Sequence, residues 1–344
     1  NCPSKSLCTK FFQGDLMDFD TVYNFGKEVD LITIEIENIN IEALEKLKKE
    51  RKTVYPQPEI LKIIQDKSLQ KDFYLRNKIP STPFKKCNSK EEIQNFISNG
   101  DRPYPFIWKS SKMGYDGYGV KLIKDNNSIE NIPDKPCIIE DKAEIEKELS
   151  VMVVSMPSGK IINYPVVEME FNSESNQVEY IISPARIKKE IKEKAENLAL
   201  RVSQSFGNIG LLAVEMFLTT TGDILVNEVA PRPHNSYHFS IEGSETSQFE
   251  QLIRSILDLP IGKTNMINNS VMVNLVGENN AKGPVIYKNM DQIIGIKGVN
   301  PHLYGKKETR PNRKMGHVTV INSDIEEAIK IAKEIKTTVK VTSN

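Results

Sequence analysis

No run in this chain of 344 residues approaches the roughly 18 consecutive apolar residues of a membrane-crossing helix, and its first residues show no signal-peptide pattern. A cytoplasmic protein without membrane association is expected. Neither sign of charge is in excess: 46 Lys and Arg stand against 46 Asp and Glu, which removes the net field that would favour nucleic acid. The four cysteines, Cys2, Cys8, Cys87 and Cys137, form no CxxC pair, so reduced thiols are expected rather than disulfides or zinc. The four histidines, His234, His238, His302 and His317, lack the HExxH spacing of a zinc site, and His302 reads as structural. The glycine-rich loop Gly114–Gly119 carries no GK[ST], so it is not a Walker A loop, and no GxGxxG follows a strand, which removes a nicotinamide-dependent oxidoreductase. What remains has an ordinary globular composition, 39% hydrophobic and 27% charged, and enough length for about two or three domains.

The richest stretch begins at Val214-Glu215-Met216-Phe217 and runs to Asn227-Glu228-Val229-Ala230-Pro231-Arg232-Pro233-His234-Asn235-Ser236. Two apolar runs, Leu211–Leu218 and Ile224–Val229, flank the polar turn Thr220-Thr221-Gly222-Asp223, which predicts a β-hairpin with Glu215 opposite Glu228. Two acids on a hairpin are ordinarily solvated. Here both lie within apolar strands, where an unpaired carboxylate is expensive to bury and a cation is the natural remedy. With Asn227 beside them they form a hard-oxygen set of the kind that holds Mg²⁺ on nucleotide phosphates. Arg232, His234, Asn235 and Ser236 then supply donors for an anionic substrate.

Upstream, Ile107-Trp108-Lys109 reads as a strand that delivers a lysine into a loop containing Gly114, Gly117 and Gly119. Glycines allow backbone N–H groups close to phosphate oxygens, and lysine adds charge. A strand then ends at Glu140, and a charged turn leads to Glu148 at the start of the next. Near the N-terminus, Leu31–Asn38 reads as a strand, Ile41–Glu50 as a helix and Thr53–Pro56 as a short strand, a βαβ rhythm with Glu35, Glu37 and Asn38 at the ligand-binding end. Helical signals run from Glu59 to Arg76, with Asp66-Lys67-Ser68 near the middle, and the proline-rich stretch with Pro80 and Pro83 marks a hinge. A long amphipathic helix is expected over Lys188–Phe206. Near the C-terminus, Lys306, Lys307, Arg310, Arg313 and Lys314 concentrate in a turn that precedes the apolar Val318-Thr319-Val320-Ile321, a structured cluster suited to a phosphate.

The acid pair, the PRPHNS string after it and Thr246-Ser247-Gln248-Phe249-Glu250-Gln251 resemble the ATP-grasp family, and within it the branch that carboxylates an aminoimidazole ribotide. The basic turn is similar to that branch's K…RPGRKMGH motif, with Asn312 where glycine is usual. The resemblance implies an α/β fold with α+β elements: an N-terminal parallel-sheet domain over 1–80, a small mobile lid over 81–150 and a larger C-terminal, substrate-binding domain over 151–344. The family's first strand and GGGQLG turn precede this pattern, and the chain is expected to lack them. ATP would be held by Lys67, Lys109, Gly114, Gly117, Glu140, Ala143, Glu148, Asn227 and Glu228, with Glu148 accepting the ribose hydroxyls and Glu215 and Glu228 binding Mg²⁺. Lys109, Arg232 and His234 would be catalytic. Glu37, Arg232, His234, Asn235, Ser236, Lys306 and Arg313 would hold the substrate, with Arg310 and Lys314 competing for its 5′-phosphate. The implied reaction is ATP- and bicarbonate-dependent N-carboxylation of 5-aminoimidazole ribonucleotide through carboxyphosphate, in a homodimer with small-molecule partners only. Other ATP-grasp ligases and a nucleotide-binding module without turnover are the rival readings.

Overall fold

A computed structural model of the chain describes residues 2–100, 103–112, 119–172 and 177–343. The opening βαβ forms as read. After α1 (Phe19–Lys27), β1 (Leu31–Ile32) and β2 (Thr53–Val54) run parallel on either side of α2 (Ile41–Lys49). Ala43, Leu44 and Leu47 turn the apolar side of α2 onto Ile32, Ile34 and Val54. The first strand is shorter than the β-branched run that predicts it. Beyond Ile32 no strand partner remains, and the carbonyls of Glu37 and Ile39 accept instead from Gln65 Nε2 at 2.7 and 2.8 Å. Residues 33–38 are therefore a loop.

The helix expected over 59–76 is two helices, α3 (Pro58–Ile64) and α4 (Lys67–Arg76). The break has a cause. Asp66 leaves helical geometry and caps α4, its Oδ1 accepting from Ser68 N at 2.9 Å and Leu69 N at 3.4 Å. Lys67 thus opens a helix instead of lying within one, and its own N–H donates to Ser111 O at 2.8 Å.

The next unit is a four-stranded antiparallel sheet of β3 (Phe84–Cys87), β4 (Phe106–Ser110), β5 (Val120–Ile123) and β6 (Cys137–Asp141), in the order β3-β6-β4-β5. Helices α5 (Lys90–Ser98) and α6 (Asn126–Glu130) pack on it around Trp108 and Phe106. Cys87 and Cys137 face each other across β3 and β6 as buried free thiols.

The largest sheet carries β7 (Ile145–Ser155), β8 (Ile161–Asn163), β9 (Val167–Phe171), β10 (Val178–Ser183), β11 (Gly210–Thr219), β12 (Ile224–Ala230), β13 (Asn269–Val276), β15 (Val299–Leu303) and β17 (Lys314–Asn322). A division at residue 150 falls inside β7. Helix α7 (Lys189–Phe206) covers one face, and α8 (Ser240–Gly243) and α9 (Gln248–Ile256) lie on the other side. The remaining strands β14 (Gly283–Lys288), β16 (Glu308–Thr309) and β18 (Lys340–Ser343) form a small sheet beside α10 (Ile325–Thr338), whose Ala328, Ala332 and Ile335 pack on β13 and β17. No helix of the described residues is long and apolar enough to cross a membrane.

Alternation along β11 sorts its side chains. Leu212, Val214, Met216 and Leu218 pack on the α7 side, while Leu211 and Ala213 face α9. Glu215 follows the second set. On β12 simple alternation would send Glu228 the wrong way, with Ile224 and Val226 into the α7 core. A bulge intervenes: Glu215 pairs with Glu228, but Met216 pairs with Val226, leaving Asn227 as the extra residue. The phase shifts by one, Val226 and Val229 both enter the α7 core, and Glu228 is presented beside Glu215.

Loss of the Asp66 cap gives a direct test of the helix break. Asp66→Ala should lower unfolding stability by about 1 kcal/mol in urea titration, while Asp66→Asn retains most of it. An unchanged midpoint for Asp66→Ala would contradict the capping role.

Candidate functional site

The hairpin brings Glu215 and Glu228 together where the four-stranded unit overhangs the large sheet. Glu215 is 8% exposed, and burial, reinforced by Glu228 and Glu148, raises its pKa well above the usual carboxylate range. Its side chain approaches His234, whose Nε2 lies 3.4 Å from Oε1. Glu228 opens onto the cleft and meets Lys67 Nζ at 3.2 Å, and Lys67 is the main influence that lowers its pKa. Two hard oxygen donors on neighbouring strands, one of them short of a compensating charge, suit a small divalent cation. Among the described residues there is no group of three or more His, Cys, Asp or Glu able to cage a metal. An ion here would complete its shell from a ligand's oxygens and water, as Mg²⁺ does on nucleotide phosphates.

Three lysines border the acids. Lys109 leaves β4 with its Nζ 3.1 Å from Asn227 Oδ1 and 2.8 Å from Glu140 Oε2. Lys71, from α4, reaches the other oxygen of Glu140 at 2.7 Å. Burial alone would raise the Glu140 pKa, but Lys109 and Lys71 together reverse this and hold it at about 2. Both carboxylate oxygens of Glu140 are thereby engaged, so its side chain is a clamp on two lysines. Only its backbone is left to read a base. Ala143 lies in the connection that follows, between β6 and β7. The carboxylate of Glu148, on β7, makes no hydrogen bond or ion pair among the described residues. Burial lifts its pKa to about 7, against the pull of Lys109 and with the push of Glu228. Gly114 and Gly117 lie outside the described residues.

On the far side of the acids the chain from β12 returns across the sheet. Arg232 Nε meets Glu37 Oε1 at 2.8 Å, which ties the N-terminal unit to the site. The Ser236 N–H and hydroxyl approach His234 Nδ1 at 3.4 and 2.8 Å. A backbone N–H can only donate, so Nδ1 accepts and the proton of the neutral ring sits on Nε2, facing Glu215. Burial, with Arg232 and Lys314, depresses the His234 pKa to about 3. Ser236 itself is 1% exposed, and its hydroxyl lies 3.1 Å from Ser150 Oγ, so it holds His234 instead of facing the cleft. Asn235 forms a reciprocal amide pair with Asn274, both bonds at 2.9 Å.

Within the basic turn, Lys306 Nζ donates to Lys314 O at 2.7 Å and Arg313 to Glu308 O at 2.9 Å. Asn312 adopts φ +59°, the left-handed geometry that asparagine tolerates better than most residues. Lys314 is the cation of this turn whose field reaches Glu215, His234 and His238. Sequence reasoning missed two residues. Lys71 looks like any solvated helix lysine until its contact with Glu140 is seen. Gln248, fully buried, grips His234 through both backbone groups at 2.8 and 3.0 Å and donates to His238 Nδ1 at 2.8 Å. His302, read as structural, bonds Glu242 at 2.7 Å and stacks on His317.

A depressed histidine pKa means that the unfolded chain takes up a proton that the folded chain refuses. The His234 contribution to stability is therefore intact above its ordinary value of 6.5 and is lost as pH falls towards about 3. Imidazole ¹⁵N shifts of His234 should stay those of a neutral ring from about pH 8 to about pH 5. Titration near the ordinary value would contradict the buried geometry.

Comparison with known proteins matches three families along the chain: the ribonucleotide synthetase preATP-grasp domain over residues 1–65, the ATP-grasp domain over 72–249 and the phosphoribosylaminoimidazole carboxylase C-terminal domain over 270–331. The chain is 36% identical to the N5-carboxyaminoimidazole ribonucleotide synthase of Bacillus subtilis, with 91% of this chain and 80% of the relative aligned. It is 34% identical to the phosphoribosylaminoimidazole carboxylase of Saccharomyces cerevisiae over 95% of this chain, which spans 59% of that longer protein. Among solved structures, N5-carboxyaminoimidazole ribonucleotide synthetase from Thermotoga maritima superposes with a TM-score of 0.90 at 38% identity, covering 99% of this chain and 90% of the other. The Aspergillus clavatus synthase in complex with ADP and 5-aminoimidazole ribonucleotide gives a TM-score of 0.88 at 28% identity, covering 98% and 89%. The ATP-grasp match alone takes in more than half of the chain, and the chain belongs to the ATP-grasp family.

Proposed function

We propose that this chain carboxylates the exocyclic amine of 5-aminoimidazole ribonucleotide, consuming ATP and bicarbonate and releasing ADP and phosphate, as a cytoplasmic step of purine synthesis. The observation that carries the reading is a single cleft. It places an acid pair and two lysines, Lys67 and Lys109, beside an Arg232–Glu37 bridge, in a chain whose relatives include a synthase with ADP and the ribotide bound.

In the first step a bicarbonate oxygen attacks the γ-phosphorus, and the bond to the β–γ bridging oxygen breaks, giving carboxyphosphate and ADP. The ribotide amine then attacks the carboxyl carbon. The carbon–oxygen bond to phosphate breaks, phosphate leaves with the electron pair, and the amine proton follows it. Lys109 and Lys67 supply charge for the phosphates, and Arg232 orients bicarbonate or its phosphorylated adduct. His234 donates from Nε2, so it positions rather than accepts a proton. Mg²⁺ fits Glu215 and Glu228 together with phosphate oxygens, and when bound it would neutralise the β- and γ-phosphates. Ribose hydroxyls are the donors that the unpartnered Glu148 carboxylate needs. Lys314, Lys306 and Arg313 form the basic turn for the 5′-phosphate. Phe249 and Ile253 on α9 and Leu257 at its C-cap stand exposed at 41%, 49% and 52%, an apolar strip that a homodimer would cover.

Ribotide-dependent ADP release should be strong for the chain and fall roughly 100-fold or more in Glu228→Gln. Release indifferent to the ribotide would instead favour another acceptor within the ATP-grasp family. Nucleotide affinity has its own pH signature. Ribose donors favour the Glu148 carboxylate, so binding expels a proton that is half-present at about pH 7. Affinity should weaken as pH falls below this value, by at most about tenfold per pH unit, and Glu148→Gln should flatten the dependence in calorimetric titration.

A further inference from the structure

Lys71 never meets the cleft. It is 2% exposed, and its Nζ is spent on Glu140 Oε1 at 2.7 Å, Thr82 Oγ1 at 2.9 Å and Thr82 O at 3.4 Å. A lysine is costly to bury, and Met or Leu would fill the same space without that cost. Its position relative to Lys109 shows what the charge does. Glu140 Oε2 is 2.8 Å from Lys109 Nζ, so one carboxylate is divided between a buried lysine and a lysine that borders the ligand. Two cations on one anion leave one positive charge over, and it resides on the side that opens to the cleft. With Lys71 absent, Lys109 and Glu140 would form a neutral, closed pair, and a phosphate would have to compete with Glu140 for the ammonium.

We propose that Lys71 is a positioning residue for nucleotide turnover: by sharing the Glu140 carboxylate and anchoring on Thr82, it keeps Lys109 available to phosphate. The proposal rests on the ATP-dependent reading above. Its mechanical side follows from where the partners lie. Lys71 belongs to α4, Thr82 to the connector after it and Glu140 to β6, so one ammonium group joins the connector to the four-stranded unit that carries Lys109. Lys109 is also fixed from the opposite side by Asn227 of the bulge at 3.1 Å. It is therefore held at a set point between the two units.

The test measures steady-state kinetics and binding of a fluorescent ATP analogue for Lys71→Met, Thr82→Val and the double variant Lys71→Met/Glu140→Gln, with urea unfolding of each. Lys71→Met should raise KM for ATP and lower kcat by about tenfold each, leaving KM for the ribotide unchanged. Thr82→Val, a gentler change that preserves the fold, should shift the same two quantities in the same direction by about threefold. The double variant should recover kcat/KM relative to Lys71→Met, because removing the Glu140 charge releases Lys109; a merely structural lysine would instead give losses that add. Variants with normal ATP kinetics, or a double variant worse than the single by the full added loss, would overturn the proposal. Absence of ribotide-dependent ADP release in the unaltered chain would overturn the carboxylase reading instead, while the analogue-binding comparison still decides the role of Lys71.

Discussion

Carboxylates gathered in one cleft repel each other and resist burial, and each must be answered by something. Four face this site or lie just behind it. Glu140 is answered twice, by Lys71 and Lys109, and stays ionised far below the usual carboxylate range. Glu228 is answered by Lys67. Among the described residues Glu215 and Glu148 have no lysine or arginine in contact, and burial pushes the pKa of both upward. The protein thus compensates the acids that hold its lysines and leaves uncompensated the two to which the proposed function assigns a metal ion and the ribose hydroxyls. The N-terminal unit, the four-stranded unit and the large sheet each contribute to that balance, which is why the cleft forms where they meet.

Much of this was legible in the sequence, and the part that was not has a common cause. The hairpin announced itself through two apolar runs and a polar turn, which set Glu215 and Glu228 on neighbouring strands; their direct facing depends on the bulge, since regular counting would put Asn227 opposite Glu215. The bulge did not, because inserting one residue leaves the apolar pattern readable on both sides. The run after Ile32 looked like strand by propensity, but β-structure needs a partner, and Gln65 takes the carbonyls that a partner would have used. The break at Asp66 was written in a good capping residue, although the helical signal on either side hid it. Lys71 and Gln248 escaped for a deeper reason. Their partners are remote in the chain or matter only once folded, and nothing in the spacing of neighbours reports them.

Residues assigned to ligand contact also divide into two kinds. Lys109, Lys67, Glu228 and Arg232 present charge to the cleft. Ser236, Asn235 and the Glu140 carboxylate are committed to other protein groups, so their influence is exerted through His234, Asn274 and the lysines. In the basic turn Lys306 and Arg313 bond to backbone carbonyls and shape the turn while carrying charge, and Asn312 accommodates the left-handed residue the turn requires.

The bulge at Asn227 makes the site depend on how many residues separate the turn from Glu228, and not only on which residues they are. Lengthening β12 by one, with the bulge still absorbing a single residue, would turn the Glu228 carboxylate to the α7 core and Val229 towards the ligand, with every functional side chain still present in the sequence. Reading such a chain by its motif would miss the damage. In this fold, length between landmarks carries chemical information as surely as the landmarks do.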